Sequence, residues 1–176
     1  MAFSGILKTM TWLTRLLQWL LAIVLVGVGA YMVDQYRDGH FVVPAEVSLP
    51  TAASVLAAVI ATFSIVAICF LGYTLQLVAA ALDFIIFVLY LASAALLRHN
   101  YHAINSRLNP LRNSLVFVRR AQGEDPHQRL QGSLVHLLVA LVVIQTLLFF
   151  FTTLMGFAVA SRHEGRGARR HTHVAV

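Results

Sequence analysis

From Thr51 to Leu97 the chain carries 47 residues with a single charge, Asp83. As one helix this stretch would measure about 70 Å at 1.5 Å per residue, more than twice the hydrocarbon thickness of a bilayer. It therefore has to double back. Gly72-Tyr73-Thr74 is the natural bend, giving two spans of about 51–71 and 75–97 joined by a tight hairpin. Two further apolar runs, Leu16 to Val33 and Leu134 to Ala160, are also long enough to cross. The sequence thus predicts an all-α integral membrane protein, a four-helix transmembrane bundle with spans at about 11–33, 51–71, 75–97 and 134–160. An N-terminal segment 1–10 precedes it and a basic tail 161–176 follows. The basic start ahead of the first run also resembles a secretory leader, but the run exceeds a typical leader core and lacks a small-residue cleavage site, so a retained helix is expected.

Composition agrees with this reading. Hydrophobic residues make up 59% of the chain and charged ones 11%, with a mean hydropathy of +0.78, far from the balance of soluble domains. A soluble enzyme, a nucleic-acid module and a disordered tail are all poor fits. The net charge of +6 comes from 13 basic and 7 acidic residues. The bases lie between or beyond the spans, where they set topology and meet anionic headgroups, so lipid rather than nucleic acid is the expected partner. Cys69 is the single cysteine, which excludes an internal disulfide and a Cys-x-x-Cys site.

Residues 34–50 carry Asp34, Arg37, Asp38 and Glu46 with Pro44 and Pro50, and read as a short polar loop. Residues 98–132 hold six arginines against Glu124 and Asp125. Within them Ile104, Leu108, Leu111, Leu115 and Val118 recur at helical spacing, and Asn109-Pro110 is a good cap and first-turn pair. This third loop predicts either an interfacial helix or a solvated segment whose apolar stripe packs on the bundle. Four spans place both termini on one side, which carries +5 against +2 opposite and favours cytosolic termini. The most basic connection then faces outward, in tension with that orientation.

Asp83 is the most informative residue, because an intramembrane carboxylate normally faces the bundle interior with a partner. In an up-down bundle it falls near the depth of Gln18, with Thr152 at a similar level and Arg15 nearer the surface and able to snorkel towards it. These four form a candidate intramembrane polar clamp; a proton-relay role is the alternative. Gln145, Ser64 and Thr62 are further candidate interhelical hydrogen bonders. Gly27 and Gly29 in the first span, and Ser54, Ala58 and Thr62 with Ala57 and Ala61 beside them in the second, form small faces suited to close helix packing. Arg162, Arg166, Arg169 and Arg170 are candidate contacts to anionic lipid. No catalytic, cofactor or metal site is expected: the histidine pairs His99 with His102 and His171 with His173 lie in a loop and a tail and lack the convergent ligands a metal needs.

The run Arg15-Leu-Leu-Gln18-Trp-Leu-Leu-Ala-Ile-Val-Leu-Val-Gly27, the tight second turn, and Leu82-Asp83-Phe-Ile-Ile-Phe-Val-Leu-Tyr90-Leu-Ala-Ser-Ala in span three together resemble MARVEL-domain proteins of the fungal type, over residues 8–160. The chain differs from that pattern in its long basic 98–132 segment, in Tyr90 where a tryptophan is usual, and in lacking a cysteine after span three. The resemblance implies a non-enzymatic tetraspan protein with cytosolic termini that organises lipid microdomains, trafficking or membrane apposition. Its partners would be membrane lipids and copies of itself or other membrane proteins. An accessory subunit of a larger membrane complex is the second reading, and a small transporter or channel built on Asp83 the third.

Overall fold

The computed structural model describes residues 2–70, 73–100, 109–121, 123 and 128–172. Every regular element among them is helical: α1 Ala2–Asp38, α2 Ala45–Phe70, α3 Tyr73–Leu96, a 3₁₀ turn Leu97–Asn100, α4 Pro110–Ala121 and α5 Gln128–Thr172. Four segments are long and apolar enough to cross a membrane, Trp12–Asp38, Ala45–Ile65, Val78–Asn100 and Gln131–Phe157. The architecture is that of a multi-pass integral membrane protein. Only 28–39% of the residues in each apolar window are buried, so the remaining apolar side chains point outward, as lipid requires and water does not.

The helices run further than hydropathy alone indicates. α1 continues through the charged stretch Asp34–Asp38 because its inward stripe does not stop there: Ala22, Leu25, Gly29, Met32 and Tyr36 recur at helical spacing and all are buried. Tyr36 then meets α4, its hydroxyl 2.6 Å from Ser114 Oγ. The helix closes in a Schellman turn in which Phe41 N donates to Tyr36 O and His40 N to Arg37 O, each at 2.9 Å. His40 holds the left-handed position, with φ 57°. The first loop therefore shortens to 39–44. α2 begins at Ala45 because the Pro44 carbonyl receives Val47 N and Ser48 N at 3.0 and 3.1 Å, and Glu46 in the first turn complements the helix dipole. Pro50 lies inside α2 rather than in the loop. As the sixth residue of α2 it withholds one ladder bond, the one to the Glu46 carbonyl, and the hydroxyls of Thr51 and Ser54 donate to the carbonyls of Val47 and Pro50. Of the expected hairpin, Tyr73 and Thr74 are already helical, and Gly72 lies outside the described residues.

α1 packs most closely on α2 and α3 on α5, while α2 with α3 and α1 with α5 complete a square. α1 and α3 therefore face each other across a diagonal. Small residues bring two of these pairs together. A Cβ on Gly29 would lie 2.1 Å from Thr51 Oγ1, and one on Gly156 would lie 2.7 Å from the Cβ of Ala80. Between the helices Leu25, Met32, Ile86, Tyr90, Leu138, Val142 and Phe149 form one apolar cluster, with the rings of Tyr90 and Phe149 stacked at 5.7 Å.

α4 is a helix, and of its apolar stripe Leu111, Leu115 and Val118 are buried at 1, 1 and 2% exposure. Ile104 and Leu108 lie outside the described residues. The helix starts at Pro110 after Asn109, whose carbonyl receives Asn113 N at 3.1 Å. Its first turn is fixed at the end of α3, where Leu111 N donates to Asn100 Oδ1 at 3.1 Å. Its last turn lies against the end of α1, where a Cβ on Gly39 would come within 2.8 Å of Val118 Cγ1. Joining the ends of two diagonal helices, α4 lies as a bar across one end of the bundle.

Candidate functional site: a polar layer inside the bundle

Asp83 on α3 is fully buried and Arg15 on α1 is 7% exposed. Arg15 Nη1 donates to Asp83 Oδ1 and Nη2 to Oδ2, a two-point guanidinium–carboxylate pair across the diagonal of the square. The arginine does not snorkel outward: in a dry interior a buried carboxylate holds it more strongly than headgroups at the end of a stretched side chain.

One turn along the same face of α1, Gln18 Nε2 donates to Thr152 Oγ1 of α5 at 3.2 Å, and Gln145 Nε2 of α5 donates to the Gln18 backbone carbonyl at 2.9 Å. The Thr152 and Thr153 hydroxyls donate back to the Phe149 carbonyl. On the outer side of this layer Trp19 Nε1 donates to Thr62 Oγ1 of α2 at 3.0 Å. Arg15, Gln18, Asp83 and Thr152 are thus brought into one layer, which stitches α1 to α3 and to α5. The carboxamide oxygens of Gln18 and Gln145 are buried there without a protein partner. A second tie lies further along the core, where Tyr90 OH donates to Ser54 Oγ at 3.1 Å and joins α3 to α2.

The residues expected to pack helices divide. Gly29 touches Thr51, whereas Gly27 is exposed and a Cβ there would meet nothing within 4 Å. On α2 Ser54 is buried, Ala58 half-buried and Thr62 exposed; the row turned to the core is Ser54, Ala57, Ala61 and Ser64. The four tail arginines, Arg162, Arg166, Arg169 and Arg170, lie on the helical backbone of α5, and their side chains fall outside the described residues. Among the described residues no three His, Cys, Asp or Glu side chains gather in a way that could hold a metal.

Two contacts escaped the sequence reading. Arg15 belongs to the expected clamp, but its place nearer the surface did not signal a direct pair with Asp83. The Tyr36–Ser114 bond lay beyond the presumed end of α1, although the stripe through Met32 to Tyr36 signals it. Comparison with family models, with curated proteins and with solved structures gives no match.

Proposed function

We propose that this chain is a non-enzymatic tetraspan protein that organises membrane through lipid and helix contacts, in the manner of the MARVEL-domain proteins it resembles. The observation that carries this reading is where the polar and apolar groups go. The intramembrane charges neutralise each other in the Arg15–Asp83 pair, and the large apolar side chains Leu20, Ile23, Phe63, Phe84, Ile85, Leu147, Phe151 and Leu154 are left facing outward on all four spans. A transport role would need Asp83 to exchange its partner for a proton or ion. The two-point pair supports a clamp instead. A shallow open trough of about 400 Å³ along α5 is lined by the apolar Val139, Ala140, Val143 and Ile144 with the imidazole of His136, a surface on which an acyl chain can lie.

The test is extraction of the full chain in mild detergent and mass spectrometry of the intact particle. A homo-oligomer carrying bound lipid is the expected result. Fixed stoichiometric association with unrelated subunits would instead make it an accessory chain, and undiminished flux of any solute through an Asp83→Asn variant would remove Asp83 from a transport mechanism.

A further inference from the structure

At 100° per residue, Leu111, Leu115 and Val118 share the face of α4 turned onto the bundle, Arg112 and Arg119 lie on one flank, and Asn113 and Arg120 on the back. Phe117 falls about 120° round on the other flank, on the side of Ser114. Ser114 meets Tyr36, so that flank is the one turned to the end of α1. The Schellman turn delivers Phe41 to the same corner, where its ring meets Phe117 edge-on with centroids 5.9 Å apart. Three backbone devices fix this corner: the left-handed His40, the close approach of Gly39 to Val118, and the start of α4 at Asn109-Pro110. Yet the side chains it presents are apolar and open, with Val42 91% exposed, Phe117 63% and Phe41 38%.

We propose that Phe41, Val42 and Phe117 form an anchoring ledge that inserts into the headgroup–acyl boundary of the bilayer the four helices cross. The inference rests on the membrane-organising reading and names a lipid-contact site within it. Lipid is favoured as the occupant by position. The candidate span Trp12–Asp38 ends three residues before Phe41, the level at which aromatic side chains mark the membrane–water boundary. The outward surface of α1 is apolar through Ile23, Val24 and Tyr31, and its last turn then exposes Asp34, Arg37 and Asp38, which puts the headgroup level just short of Phe41. α4 lies across the bundle end, and therefore along the membrane plane, with Phe117 on the flank turned sideways and Arg120 on its back towards water.

The full chain carrying Cys69→Ser and one of Val42→Cys, Phe117→Cys or Arg120→Cys, spin-labelled in phosphatidylcholine vesicles, tests the ledge. Collisions with oxygen report the lipid phase and collisions with a water-soluble nickel chelate report the aqueous phase. The expected result is an oxygen-to-nickel ratio shifted well above that at position 120 for the labels at 42 and 117. If both follow position 120, the ledge is in water and the proposal falls. Labels shielded from both colliders would put protein, a second copy or another chain, on the ledge, and would equally overturn lipid as its occupant. Neither failure touches the result for the intact particle, so loss of the ledge and loss of the membrane-organising reading are told apart.

Discussion

Among the described residues no other charged side chain is buried in the layer of Asp83 and Arg15, so each is the other's condition for being buried. Removing one partner strands the other in a dry core, and Asp83→Asn should destabilise the bundle by about 3–5 kcal/mol. Replacing both with apolar residues, Arg15→Met with Asp83→Leu, should recover most of that loss. Chemical denaturation of Arg15→Met, Asp83→Leu and the double variant in one detergent measures the coupling, and additive effects would show that the pair contributes no interaction. Two glycines two positions apart should behave oppositely. Gly29→Leu drives a side chain into Thr51 and should separate α1 from α2, while Gly27→Ala meets open space and gains about 1 kcal/mol of helix propensity. His40→Gly places in the left-handed position the residue best suited to it, and should raise thermal stability by up to about 1 kcal/mol.

At the scale of elements, length and hydropathy made the spans legible, because apolar runs of twenty residues admit few other fates. Asp83 in span three and Gln18 in span one announced a polar layer in the same way, by being expensive where they stood. What was hidden depended on partners distant in sequence. α1 persists past Asp34 because Tyr36 is buried against α4, which lies some eighty residues later; local composition, read alone, says loop. The position of Pro50 inside α2 was concealed likewise, since the packing of α2 on α1 and α3 that outweighs one lost ladder bond is not written in the local sequence. The stripe of α4 was visible, but its direction across the bundle was not, being set by Asn100 at one end and Gly39 at the other. Tyr36→Phe should weaken that docking by about 1 kcal/mol. Hydrogen exchange should then quicken in Pro110–Ala121 while the spans keep their protection; equal quickening throughout would show that α4 and the bundle open as one unit.

At the scale of the whole molecule, the continuous helix Gln128–Thr172 carries the tail arginines outward from the last span. Exchanging Arg162, Arg166, Arg169 and Arg170 for glutamine should shift the lipid retained by the purified protein away from anionic species, each arginine near the surface being worth about 1 kcal/mol. Mass spectrometry of the lipid carried through purification reads the shift, and an unchanged lipid profile would remove these residues from headgroup binding.

The two ties described above fall on the same diagonal. The Arg15–Asp83 pair joins α1 to α3 towards the termini, and α4 joins the far ends of those same helices. A square frame braced corner to corner at both ends resists collapsing into a lozenge. In a bilayer thinner or thicker than its apolar belt, such a frame answers by leaning as a rigid block rather than by letting its helices slide, and the strain passes outward into the surrounding lipid.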